Sequence, residues 1–389
     1  MGKASGRKKE FVKKLRIPEA GNSEFSGNLN RKGLLQKPVV HIFLVIVLGF
    51  LAYSNTFHSP FQWDETKQII ENPIIKDLDN FISSTKGYEY ASSHYNPRRS
   101  IGYLTFALNH HFGGLNVTGY HIVNLFIHIV NAITLYFLIL LTFKTPYMSS
   151  QQAEAENGGE DRAGKTGIGQ PASVNYSLLT THYSHFIAFF SALLFVSHPV
   201  QTQAVTYVVQ RFTSLAAMFY LLSLLLYIKG RLASRQAIRL GSYFMALLLA
   251  LLAMKTKEIV FTLPLVIIIY EFTFFKASFR KMLLFLLPVL LTLIIVSISV
   301  LHSDKSLGEM LSDVSESTRV QTSMPRSDYL ITQMRVITTY LRLIVLPISQ
   351  NLDYDYPIEH SIFTLPVFFS FLFLSAIFGT AIYLLYISR

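Results

Sequence analysis

Two adjacent carboxylates, Asp64 and Glu65, directly follow the chain's single tryptophan, Trp63, in the stretch FQWDETKQIIENP, Phe61–Pro73. A carboxylate placed against an acceptor hydroxyl or amide can take its proton, so this pair holds the candidate catalytic residues. Five cations elsewhere are candidates for a departing phosphate: Arg99, Arg211, Lys257, and the pair Arg335 and Arg342. Guanidinium and ammonium groups stabilise the charge that leaving phosphate oxygens develop. His121, His198 and Glu258 are candidates for lining the same pocket. His121 reads equally well as polar packing between helices. Lys257 reads equally well as a lysine snorkelling to lipid phosphates. Trp63 and Glu65 are as suited to supporting the loop as to touching substrate. No metal site is assigned. His121, Asn124 and His128 lie at i, i+3 and i+7 on one helix face, but no carboxylate joins them within a turn. The basic residues can meet phosphate charge alone, so a divalent metal is compatible with the site without being demanded by it.

These residues must be positioned by helices in a bilayer. Of the 389 residues, 51% are hydrophobic and 15% charged, against about a quarter charged in soluble domains. Apolar stretches at 39–57, 121–143, 184–198, 212–228, 240–254, 259–275, 282–301 and 363–386 approach the roughly 20 residues that cross a hydrocarbon core. Backbone groups there have no water to bond, so each stretch must be helical. The first reads as an uncleaved signal anchor, since no cleavage site follows a short apolar region. The chain contains no cysteine, which excludes disulfides and thiol chemistry. Its net charge of +11 reads as the positive-inside bias of a membrane protein, with no nucleic-acid partner.

Charge orients the spans. Basic residues crowd the first 37 positions and the turns around Lys229–Arg239 and Lys276–Lys281, which places these segments and the N-terminus in the cytoplasm. The expected organisation is a basic cytoplasmic tail at 1–37, then the first span, a large outer loop with the acidic pair and the second span at 38–143. A disordered cytoplasmic linker follows at 144–182, poor in apolar residues. Spans three to seven occupy 183–301, an outer loop with an amphipathic helix 302–362, and the last span 363–389. In that loop Arg335, Thr339 and Arg342 share a face opposite Leu330, Met334, Ile337, Leu341 and Ile344. Arginines facing lipid are costly, so this helix should lie in the interface or turn its polar stripe to protein. Acid and base thus gather on the outer side, among membrane lipids. A substrate both anionic and lipid-soluble, a polyprenyl-phosphate sugar, explains chemistry at that place.

The residues also carry a resemblance. The triplet WDE after the first span resembles the acidic motif in the first external loop of GT-C glycosyltransferases. RRSIGYLTFALNHHFGGLNVTGYHIVNLFIHIVNA, LLFVSHPVQTQAVTYVVQR, AMKTKEIVFTLPL and YLRLIVLPISQNLDYDYPI are similar, in order, to blocks of the transmembrane and tetratricopeptide-repeat-containing O-mannosyltransferase family and its bacterial relatives. The resemblance implies an all-α polytopic membrane protein, a GT-C-like bundle of about eight spans with amphipathic helices on its outer face. It implies sugar transfer from a polyprenyl phosphate to a hydroxyl of an acceptor protein, outside a bacterial inner membrane. Asp64 would orient or deprotonate the acceptor, with Glu65 as a second acid. Arg99 matches the arginine of the first block; His198, Arg211, Lys257 and Glu258 match polar positions around the implied cavity. Ser100 stands where the family has proline, and Gln203 where it has glutamate, so no acid acts there. Family members continue into further spans and repeats; against that pattern the chain reads as a truncated product or as one half of a split protein, with a separate subunit supplying the rest. Two other readings stay open: a lipid-linked sugar transporter or flippase, and a non-catalytic half of a split transferase.

Overall fold

The computed structural model describes residues 37–82, 95–151, 176–275 and 324–387. The N-terminal tail to residue 36, the stretch 276–323 with its expected basic turn and span, and Arg389 lie outside the described residues. Two compact units divide the chain, Met1–Leu44 and Val45–Arg389. Of the first, only the opening of helix α1 (Pro38–Ala52) is described. The second carries α2 (Ser100–Gly113), α3 (Val117–Thr142), α4 (Tyr176–Ser197), α5 (Arg211–Leu232), α6 (Gln236–Met254), α7 (Leu263–Tyr270), α8 (Arg326–Val345) and α9 (Leu365–Ile387). Every regular element among the described residues is helical.

Among the described residues, five stretches are long and apolar enough to cross a membrane: Val117–Thr142, Val208–Leu232, Gln236–Met254, Glu258–Phe275 and Leu365–Ile387. A sixth is broken, Tyr183–Ser197 meeting Pro199–Thr206 at 50°. The chain is an all-α, multi-pass membrane protein.

Local chemistry sets the boundaries. α1 stops at Ala52, earlier than the expected 57, where the hydroxyls of Ser54 and Thr56 fold back onto the carbonyls of Leu51 (2.9 Å) and Tyr53 (2.8 Å). Such side-chain bonds compete with helix continuation. α3 starts four residues before the expected 121, because the Asn116 side chain accepts the Thr118 N–H at 3.1 Å and caps it. α4 ends before His198, since Pro199 supplies no N–H and disfavours helical backbone at the preceding residue. Within the 144–182 stretch expected as linker, α4 already begins at Tyr176 and a helical turn covers 146–151. That turn is held by buried Thr145 and by the Tyr147 ring against Phe274, 6.4 Å between centroids.

α5 and α6 form an antiparallel hairpin through a three-residue turn, as so short a connection requires. Small residues line their seam: Ala246, Ala250 and Ala253 are buried, and Ser223 donates to the Ala246 carbonyl at 2.7 Å. Close backbone approach of this kind is how helices associate where lipid removes the hydrophobic drive. α7 and the α3 residues Leu138 and Leu141 complete this core. A second core joins Val45 and Tyr53 to α3 and α4 through Leu125, Ala132, Ala188 and Val196. A third lies under the acidic loop and contains Ile69, Ile75, Tyr103, Phe106, Tyr120, Val208 and Phe212.

α8 turns its polar stripe onto the segment that follows it. Arg335 pairs with Glu359 at 3.0 Å and the Tyr356 hydroxyl donates to Thr339 at 2.7 Å, while Leu330, Ile337 and Ile344 stay exposed.

Candidate active site

The acidic loop is tied down at each end. At its start the Thr118 hydroxyl donates to the Phe57 carbonyl (3.0 Å), and His121 Nε2 donates to the Ser59 carbonyl (3.0 Å). His121 is buried, and its Nδ1 has no partner among the described residues. Further on, the Tyr103 hydroxyl of α2 donates to the Gln68 side chain at 2.9 Å.

Between these anchors the two acids part company. Glu65 is 2% exposed. Its carboxylate accepts the Gln62 N–H at 2.7 Å, and on the other oxygen the backbone N–H groups of Val208 and Val209. These are orphan donors where the α5 span begins, the place where a negative charge is most favourable. Burial pushes the Glu65 carboxyl up, and the three N–H bonds oppose that rise. Asp64 is exposed. Asp64 lies close enough to act on the Tyr207 phenol, whose proton is held more tightly by burial and by the charge of Asp64, with the Asp64 backbone opposing. Trp63 is 68% exposed and has φ of 53°, left-handed backbone for a non-glycine residue. Strain of this kind costs roughly 1–3 kcal/mol and persists only where surrounding contacts impose it. Here the Gln62–Glu65 turn, closed by Glu65's own side chain, imposes it.

Arg211 is 0% exposed at the head of α5. Its guanidinium donates to Asn124 Oδ1 (2.7 Å), Asn109 Oδ1 (2.6 Å), the Thr105 carbonyl (3.3 Å) and the Tyr120 carbonyl (2.9 Å). The Phe106 ring lies beneath it, 4.4 Å to the centroid. One side chain thus locks α2, α3 and α5 together. Asn124 turns its amide to the Val205 and Val208 carbonyls, each at 3.3 Å.

The remaining cations of this end stand beside α5. Arg99 grips Glu258 with two bonds, 3.2 and 3.0 Å, and lies over Phe212. Lys257 donates to Thr213 Oγ1 at 2.6 Å. Burial and the nearby Arg99 charge hold its ammonium below the usual lysine value, with Glu258 opposing. The Ile101 N–H at the start of α2 bonds the Lys255 carbonyl at 3.1 Å, which fixes the two basic segments against each other.

The fold therefore brings together Asp64, Glu65, Arg99, His121, Arg211, Lys257 and Glu258 around the N-terminus of α5. His198 stands at the break after α4: its Nδ1 accepts the Val200 N–H (3.2 Å), so Nε2 carries the proton and donates to the Ile344 carbonyl of α8 (2.9 Å). Arg335 lies nine residues before that contact, about 13 Å along the helix, where it pairs with Glu359. Arg342 is exposed. Tyr207 and Thr213 were not singled out from the sequence. The one available signal was their place on either side of Arg211, at the entry to a span. Among the described residues, no three His, Cys, Asp or Glu side chains group closely enough to hold a metal ion.

Over 244 residues, 61% of this chain and 24% of the relative, it is 29% identical to protein O-mannosyl-transferase TMTC2 of Homo sapiens. The chain resembles the protein O-mannosyl-transferases. It is also 28% identical over 203 residues to Tmtc3 of Drosophila melanogaster, covering 50% of this chain and 20% of the relative. Over 198 residues it is 25% identical to a Caenorhabditis elegans protein of the same name, covering 49% and 23%. The matched region thus spans about a quarter or less of these relatives' length. No family model and no solved structure matches the chain.

Proposed function

We propose that this chain is the membrane-embedded part of a GT-C type glycosyltransferase, moving a sugar from a polyprenyl-phosphate donor to a hydroxyl of an acceptor protein on the outer face of the membrane. The relatives' names make mannose the sugar to test first. The observation that carries this reading is the division of labour within the acidic pair: Glu65 is consumed by backbone N–H groups, and Asp64 is left facing outward beside Tyr207. In the step, the acceptor oxygen attacks the sugar's anomeric carbon and its proton passes to Asp64. The bond from that carbon to the phosphate oxygen breaks, and polyprenyl phosphate leaves with the electron pair. Lys257 and Arg99, two partly exposed cations of this end, are placed to meet the charge that develops. Arg211 serves the reaction by holding three helices in register.

Asp64→Asn tests the reading, because it keeps the shape and removes the base. Sugar transfer by the full chain from polyprenyl-phosphate mannose should fall to background while membrane insertion and unfolding temperature stay as in the wild type. Undiminished transfer would overturn the assignment. The broken α4 span favours a second reading, a transporter of lipid-linked sugar, since broken helices serve transport sites. Sugar-lipid movement across proteoliposomes without acceptor modification would select it.

A further inference from the structure

Trp63 is the feature that neither proton transfer nor phosphate binding uses. The ring is large, exposed and apolar, yet its neighbours Gln62, Asp64, Thr66 and Lys67 are all polar and exposed. Its backbone is left-handed, and the side chain of Glu65 closes the turn that holds it there. An interfacial lipid anchor does not need this arrangement, because an indole can hang into headgroups from ordinary backbone. The left-handed backbone fixes the direction in which the Trp63 Cβ leaves the loop, one residue before Asp64. An exposed indole one residue from an exposed carboxylate suits a ligand with one apolar CH face and a rim of hydroxyls, which is the shape of a pyranose.

We propose that Trp63 is a sugar platform: its ring stacks on the hexose carried by the lipid donor and sets the anomeric carbon against Asp64. This rests on the transferase reading for the identity of the sugar.

Because Trp63 is the only tryptophan, emission excited beyond the absorption of the 21 tyrosines reports this ring alone. The full chain in nanodiscs is titrated with polyprenyl-phosphate mannose, then with polyprenyl phosphate lacking the sugar. Only the sugar-bearing lipid should shift or quench the emission, and Asp64→Asn should retain the effect. Equal responses to both lipids, or strong quenching by phospholipids brominated on their acyl chains with no response to sugar, would overturn the proposal in favour of a lipid anchor. A response to acceptor peptide alone would overturn it too. Kinetics give a second arm. Trp63→Gly keeps left-handed backbone available and removes the ring, so the loop should hold its shape. Its KM for the sugar donor should rise about tenfold, and Trp63→Phe should recover much of that loss. An unchanged KM in Trp63→Gly would overturn stacking while leaving transfer intact. If the wild type transfers no sugar yet the sugar-bearing lipid alone shifts Trp63, the transferase reading fails and the platform stands.

Discussion

Adjacent acids of similar chemistry have opposite fates here, and the reason is the donors each one meets. Glu65 takes three backbone N–H groups that otherwise have no acceptor. Its removal should therefore act on stability. Glu65→Ala is expected to lower unfolding free energy by about 2–4 kcal/mol, since buried donors left unpaired cost about 1–3 kcal/mol each and partial rehydration recovers some of it. Thermal unfolding in detergent would show the drop, and Asp64→Asn should show none. Lys257 gives a pH signature. Its folded value is depressed by burial and by Arg99. The protonated ammonium attracts phosphate and the neutral amine does not. Donor binding should thus be strong below that depressed value and fade as pH rises through it, before the ordinary lysine value of about 10.4 is reached. KM for the donor against pH would trace the loss, and Lys257→Arg, which does not titrate in this range, should remove it.

The helices position these residues through a few close approaches. α2 lies so near α5 that a Cβ on Gly102 would sit 2.3 Å from the Phe212 ring. Phe212 cannot swing clear, because Tyr103 and Phe106 pack on it edge-on at 4.9 and 5.3 Å. Gly102→Ala should destabilise the chain by about 1–3 kcal/mol through overpacking, and Phe212→Leu in the same chain should restore part of it. Because Arg99 begins the turn into α2, the same substitution should also weaken donor binding. At the other end of α5 a separate lock holds the bundle: Arg231 pairs with buried Glu271 at 2.5 Å, and Tyr227 donates to that carboxylate at 2.9 Å. The helix is thus pinned at both ends by polar groups, with small-residue packing between, which suits an element that must present its N-terminus rigidly.

For the whole molecule, the central expectation is sidedness. The site lies at the end that carries the N-termini of α3 and α5, and the basic turn between α5 and α6 lies at the opposite end of that hairpin. From positive-inside bias we expect the turn in the cytoplasm and the site outside. The absence of cysteine makes this easy to check. A single cysteine at Gln62, exposed in the acidic loop, should react with a membrane-impermeant maleimide in intact cells. One at Ser234, exposed in the basic turn, should react only after permeabilisation. The reverse pattern would place the site inside and exclude the outer-face reaction.

Much of this architecture was legible along the chain. Span length against bilayer thickness, the polar stripe of α8 and the resemblance of four ordered blocks are local properties, readable from neighbours within a few turns. So were the residue types of the site, since an acidic pair and scattered cations at span ends stand out against lipid-facing sequence. Where each side chain is placed was decided only by tertiary structure. Arg211, a candidate for phosphate from its charge, is enclosed by Asn109, Tyr120 and Asn124, about 90 to 100 positions away. Arg335, another such candidate, is matched to Glu359 by the return of the chain onto α8. Glu65 is turned inward by amides 143 and 144 positions further on, and that bond leaves Asp64 outside and Trp63 left-handed. Local sequence sets which groups are available, but a buried donor accepts whichever partner the fold brings to it, and that choice is made across the bundle.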